Sequence, residues 1–241
     1  MKPTIAVFRP DDERLADAVA LLESLGAVPV GDPMLEVAPT GAAPRGDADY
    51  AILTSKTGVE LAADAGWNPG DALVCAIGEA TAGHLAEHGY PVDLVPEEFS
   101  SAGLVAALGD DAAGARVEVA RSDHGSDVLL DGLNNAGAYV HETVLYELTR
   151  PEGSGESATL AAAGDLDAAL FTSSLTVENF LDAAAARGVR DAALAGLDGA
   201  VVGCIGAPTR ETAEGLGIAV DVVPDEADFG ALARAVAARF D

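Results

Sequence analysis

Short apolar runs alternate with Ala- and Leu-rich stretches along the whole chain. The runs at 5–8, 51–53, 73–77, 117–120, 168–171 and 200–205 read as buried strands, being short, continuous and closed by turn residues. Behind each, apolar positions recur at three- and four-residue spacing with polar residues between, the pattern of a helix that buries one face. This alternation predicts α/β architecture on parallel sheets, whose strands are covered on both faces.

The pattern also repeats. DYAILTSKTGVE (49–60) is answered by DAALFTSSLTVE (167–178), an offset of 118. AIGEATAGHLAEHGYPVDLVPEEFSSAGLVAAL is answered by CIGAPTRETAEGLGIAVDVVPDEADFGALARAV, with Gly78 and Gly206, Pro96 and Pro224, and Leu104 and Leu232 all 128 apart. IAVFRPDDERLADAVALLESLGAVPV is answered more loosely by VEVARSDHGSDVLLDGLNNAGAYVHE, where Arg9 and Arg121 are 112 apart. Four segments in the order A1-B1-A2-B2 predict two similar α/β domains. A simple cut falls near 110–114. Yet stretches at about 32–39 and 142–151 read as extra strands outside the repeat helices. Paired as a ribbon, they would let the chain cross twice, making B1-A2 one domain and A1 plus B2 the other. PEGSGE (151–156), behind the second, reads as a loop.

Charge narrows the function. Thirteen Lys and Arg stand against 40 Asp and Glu, a net −27. Such a surface repels nucleic acid and anionic membrane, so neither is expected as a partner. It is calmed by molar salt, which cuts the Debye length to roughly 3 Å, and a salt-rich cytoplasm is the expected setting. No apolar run approaches the roughly 20 residues of a membrane span, and the N-terminus turns acidic too early for a signal peptide. With no large apolar face evident, a monomer is expected. Cys75 and Cys204 lie in apolar runs and read as inert buried thiols, which leaves neither a disulfide framework nor a cysteine-ligated metal site.

Candidate chemistry gathers where strands give way to helices. Thr54-Ser55, Gly78-Glu79-Ala80-Thr81, Ser100-Ser101, Thr172-Ser173-Ser174 and Gly206-Ala207-Pro208-Thr209 occupy such turns. In a parallel sheet these lie at the carboxyl edge, where ligands bind. Helix N-termini there offer free N–H groups to carboxylates or phosphates, although any one hydroxyl is explained by capping alone. Arg9, Lys56, Arg121 and Arg210 fall near the same edge. His84-Leu85-Ala86-Glu87-His88 matches a zinc-protease spacing, but Gly89 ends the helix and the repeat partner at 211–215 has no histidine. Ser122-Asp123-His124 holds triad residue types too close together to act as a triad, and reads as a turn. No phosphate-binding glycine loop is present. Tyr146, in VLYEL, sits on the expected ribbon, where its phenol can donate a hydrogen bond or a proton. These features alone support a two-domain protein binding an anionic small molecule in a cleft. A non-enzymatic binding or sensor protein, or a transferase using the same anion sites, meets the description too.

The ordered set of ILTSKTGVE, LFTSSLTVENF, AIGEATAGHL, CIGAPTRETA, VPEEFSSAGL and VLYELTRP resembles the uroporphyrinogen-III synthase family over essentially the whole chain. The resemblance implies two α/β domains joined by a two-stranded ladder, one formed by 1–35 plus 152–241 and the other inserted at 38–145. It implies cyclisation of hydroxymethylbilane, a linear tetrapyrrole with eight carboxylates, with loss of water and inversion of the last pyrrole ring. No metal or organic cofactor is implied. The family's proton-donating tyrosine falls on Tyr146, and its cleft hydroxyls on Ser55, Thr81 and Thr209. Lys56, Ser101, Ser173, Arg9 and Arg121 complete the expected substrate contacts. The chain departs from the family pattern at Pro208, in place of a threonine, and at Lys56-Thr57, in place of Pro-Arg. A lysine that some members carry just before the second IG turn has no counterpart in LDGAVVGCIG.

Overall fold

The computed structural model describes residues 2–240. The chain opens with β1 (Thr4–Phe8), α1 (Glu13–Ser24) and β2 (Val28–Gly31). It continues through β3 (Glu36–Pro39), β4 (Tyr50–Leu53), α2 (Lys56–Asp64), β5 (Leu73–Ala76) and α3 (Glu79–Glu87). Next come α4 (Ser101–Leu108), β6 (Arg116–Ser122), α5 (Asp127–Asn135) and the long β7 (Tyr139–Thr149). The remainder holds α6 (Glu156–Ala163), β8 (Ala168–Phe171), α7 (Ser174–Ala186), α8 (Arg190–Leu197), β9 (Val201–Cys204), α9 (Ala207–Gly215) and α10 (Phe229–Ala237).

Two compact units result. The first takes the residues up to Glu36 together with those from Thr149 onward, and the second is Val37–Leu148. The cut near 110–114 is therefore not a boundary; it lies inside the second unit, between α4 and β6. The first unit's sheet has the order β2-β1-β8-β9, every neighbour parallel. The second unit's order is β3-β7-β6-β4-β5, with β7, β6, β4 and β5 mutually parallel. Each sheet is buried on both faces, as continuous apolar strands require. In the first unit Phe8, Phe171 and Phe180 meet on one face, with ring centroids 4.6 to 5.6 Å apart. Among the described residues no helix is long and apolar enough to cross a membrane.

The repeat extends to single hydrogen bonds. Asp93 accepts from the Val74 N–H at 2.8 Å, and Asp221 from the Val202 N–H at 2.8 Å. Asp49 accepts from the Arg116 N–H at 2.8 Å, and Asp167 from the Thr4 N–H at 2.7 Å. These carboxylates fasten the start of one strand to the segment beside it, and they recur at the offsets of 128, 118 and 112 that the sequence displays.

One expectation needs correcting. The stretch expected as a strand at 142–151 is one, but it is the end of a longer strand that starts earlier and stops at Thr149. β7 runs without interruption from Tyr139, inside the repeat, to Thr149, because no glycine, proline or other turn residue intervenes. β3 is its neighbour, so the two segments by which the chain passes between units lie side by side in one sheet.

Candidate active site

At the carboxyl edge of the second sheet, β4 ends in Leu53 and turns into α2 through Thr54 and Ser55. Ser55 is the N-cap: its Oγ accepts from the Gly58 N–H at 2.9 Å. Lys56 begins the helix, is exposed, and makes no ion pair with another described residue. β5 gives way to α3 through Gly78, which caps the helix with no side-chain hydrogen bond, so the first N–H groups stay available to a ligand. Thr81, in the first turn, is only 5% exposed. Ser101 opens α4 just behind its true cap, Ser100, which accepts from the Gly103 N–H at 2.9 Å.

The first unit repeats this edge. Ser173 caps α7 reciprocally: its Oγ accepts from the Thr176 N–H, and Thr176 Oγ1 accepts from the Ser173 N–H, both at 3.2 Å. Gly206 caps α9 without a side chain, as Gly78 caps α3, and Thr209 is 4% exposed, as closely covered as Thr81. Pro208 removes one N–H donor from the α9 turn that the α3 turn retains.

The two repeat-related arginines differ. Arg9 is half-buried with its guanidinium carbon 4.7 Å from the centre of the Phe229 ring, a cation–π contact. Burial, and then the neighbouring Arg14, holds its pKa below the ordinary arginine value. Arg121 is buried: Nε donates to Glu142 at 2.6 Å and a terminal nitrogen to the Ser126 carbonyl at 2.6 Å. Arg121 is therefore spent on its own unit and leaves the set of substrate contacts. Sequence reasoning missed Glu142 because it lies on a neighbouring strand 21 residues away, and nothing local announces the pair. Arg210 is exposed and 3.8 Å from Glu214, one helical turn on.

Tyr146 lies on β7, 7% exposed, and its phenol donates to Ser55 Oγ at 3.0 Å. The strand is irregular here. Arg121 pairs with Val144 but Ser122 pairs with Tyr146, so Leu145 is an extra residue, a β-bulge. In regular alternation Leu145 and Tyr146 would face opposite sides of the sheet. With the bulge both enter the same core cluster, beneath α2 and α3.

The other motifs resolve as structure. His84 contacts Glu87 at 3.0 Å and Glu60 at 2.9 Å, and His88 packs on its ring. Among the described residues no three His, Cys, Asp or Glu side chains are placed to hold a metal. Ser122-Asp123-His124 forms a turn in which Asp123 accepts from the Leu148 N–H at 3.0 Å. Burial pushes the thiols of Cys75 and Cys204 each up to about 12. A groove of about 680 Å³ at the amino end of β6 and β7 holds no candidate residue. Within it Arg116 pairs with Asp49, and His141 contacts the buried Glu118.

Comparison with known proteins decides among the readings. Residues 16–234 match the family described as Uroporphyrinogen-III synthase HemD. The chain belongs to the uroporphyrinogen-III synthase family. The uroporphyrinogen-III synthase of Synechococcus elongatus is 30% identical over 234 residues, covering 90% of this chain and 88% of that protein. In fold, the chain resembles a mutant uroporphyrinogen III synthase from Thermus thermophilus, with a TM-score of 0.71 at 18% identity, covering 99% of this chain and 100% of the other. Uroporphyrinogen-III synthetase from Helicobacter pylori gives 0.64 at 14% identity, with both chains fully covered. The match spans parts of both units, and Tyr146 and every candidate residue of the two carboxyl edges except Arg9 fall within it.

Proposed function

We propose that this chain closes hydroxymethylbilane to uroporphyrinogen III, eliminating water and inverting the last pyrrole ring, in tetrapyrrole biosynthesis. The observation that carries the reading is the family match across 16–234 together with a phenol held at a carboxyl edge, Tyr146 against Ser55. Loss of the hydroxymethyl oxygen requires a proton donor, and Tyr146 supplies it. The azafulvene cation that results closes unaided to the symmetric isomer. The enzyme's work is therefore conformational: it holds the chain so that the substituted carbon of the last ring makes the new bond.

Each unit offers candidate contacts for carboxylates. Lys56, Thr81 and Ser101 serve in the second, where Ser55 stays beside Tyr146, and Arg9, Ser173 and Thr209 in the first. Uncapped N–H groups at α3 and α9 bind carboxylate without a dense cluster of cations, which suits a chain of net −27. The acid load is shared, 22 acidic against 9 basic residues in the first unit and 18 against 4 in the second. Adaptation to high salt, a monomeric state and a cytoplasmic location belong to the same proposal.

The test is a product-isomer assay in ~2 M KCl, where screening is short-ranged. Fresh hydroxymethylbilane is incubated with and without protein, and the oxidised products are separated. Predominant isomer III is expected. Isomer I alone from folded protein would overturn the proposal and favour a binding or sensor role.

A further inference from the structure

Ser55 Oγ accepts two hydrogen bonds at once, from the Gly58 N–H at 2.9 Å and from the Tyr146 phenol at 3.0 Å. A hydroxyl has two acceptor lone pairs and one donor. Both lone pairs are occupied, so the Ser55 proton is the one left to donate outward. Accessibility points the same way: Tyr146 is buried and Ser55 partly exposed, so the serine is the outer member of the pair. The arrangement depends on the bulge at Leu145. It is held by Thr40, whose N–H donates to the Leu145 carbonyl at 3.0 Å, and by the Asp123 N–H, which donates to the Tyr146 carbonyl at 3.2 Å. In the first unit β2 is only four residues long, keeps regular register and ends at Gly31; the repeat mate of Ser55 is Ser173, whose partner is Thr176.

We propose that Ser55 is the group that hands the proton to the leaving hydroxyl, with Tyr146 behind it as the source, a two-step relay built by the β7 bulge. This rests on the synthase reading above. The Ser55 O–H bond breaks toward the hydroxymethyl oxygen as the Tyr146 proton moves onto Ser55 Oγ. The carbon–oxygen bond breaks with its electron pair leaving on oxygen, and water departs. The substituted carbon of the last ring forms the new carbon–carbon bond, its original bond to the neighbouring methylene breaks, and that methylene rebonds to the ring's free α-carbon, whose lost proton returns along the same path and restores the phenol. Substrate minus water equals product, and no oxidant or reductant enters.

The experiment measures isomer III formation by wild type, Y146F, S55A, S55N, S55T and the S55N/Y146F double variant, each checked for folding. Asparagine still caps α2 but cannot relay a proton, so it separates catalysis from helix capping. The relay predicts losses of about a hundredfold for Y146F and S55N, the low side of general acid contributions. It predicts that the double variant is no slower than the worse single variant and that S55T stays within a few-fold of wild type. Rates in H2O–D2O mixtures should bow for wild type, with two protons in flight, and become linear for S55N. Folded S55N or S55A with wild-type rate beside a slow Y146F would overturn the relay while leaving the synthase reading intact. Wild type that yields only isomer I would overturn the synthase reading, and the relay with it.

Discussion

The two units are the same device with different cargo. Both build four parallel strands in equivalent order and fasten them with aspartates at equivalent places. Both cap the helix after β5 or its equivalent β9 with glycine, and the helix after β4 or its equivalent β8 with serine. What differs is where charge is buried. Among the described residues the buried charged side chains are Asp32 in the first unit and Glu118 and Arg121 in the second. Asp32 takes the N–H groups of Gly155 and Ser157 and the Ser157 hydroxyl, securing the start of α6. Glu118 takes Thr143 and His141 across the β6–β7 pair, where the repeat places Ala6 in the first unit. Sheet framework is thus shared between the copies, whereas buried charge is private to each. In the second copy the private groups surround β7, the strand that carries Tyr146.

The sharpest test of that division is Asp32→Ala. It removes three hydrogen bonds to a buried carboxylate and should destabilise the first unit by about 3 kcal/mol, measured by urea unfolding. Cys204 then reports the opening of the first unit and Cys75 that of the second. With both thiols pushed up to about 12, neither should react with a thiol reagent at pH 8 in the native protein, and Asp32→Ala should speed labelling of Cys204 more than of Cys75. Equal acceleration would mean that the units open together.

Arg121→Met should cost about 2 kcal/mol, because it strands the partly buried Glu142. Arg9→Met, at the equivalent position, should cost under about 1 kcal/mol in stability and act instead on KM, by roughly fivefold. Similar stability losses for both would erase the distinction between a structural and a substrate-facing arginine. The smallest effect concerns acid. The Arg116 guanidinium and N–H hydrogen bonds hold the Asp49 carboxyl below its ordinary pKa. A depressed carboxyl contributes stability that is full above about pH 4 and lost as pH falls through its folded pKa. Asp49→Asn should flatten the acid limb of the second unit's stability curve, read from Cys75 exposure; an unchanged limb would discount the Asp49–Arg116 clamp.

Much of this was legible in the chain. Strands at 5–8 and 168–171 announce themselves as continuous apolar runs, and the repeat announces which of them are equivalent. Hydroxyls and glycines at strand ends marked Ser55, Thr81, Ser173 and Thr209 as residues of the carboxyl edge. What stayed hidden depends on pairing across strands. Glu142 and Arg121 are ordinary surface-type residues until β7 is laid beside β6. Glu118 sits in a run, VEVARS, whose alternation gives no sign that a carboxylate points into the core. The bulge at Leu145 is equally silent, since it exists only as a mismatch of register between two strands. Tyr146 could be singled out by type and place, but its bond to Ser55, 91 residues away, could not.

The nesting of one unit within the other also bears on how the protein is made. β1 pairs with β8, and the Thr4 N–H reaches Asp167 across 163 residues of chain. A ribosome therefore delivers every strand of the inserted unit before β1 meets its central partner. The inserted unit can mature during translation, while the N-terminal β1–α1–β2 segment waits with one sheet edge open. Birth order and completion order of the two units are reversed: the unit begun first is sealed last.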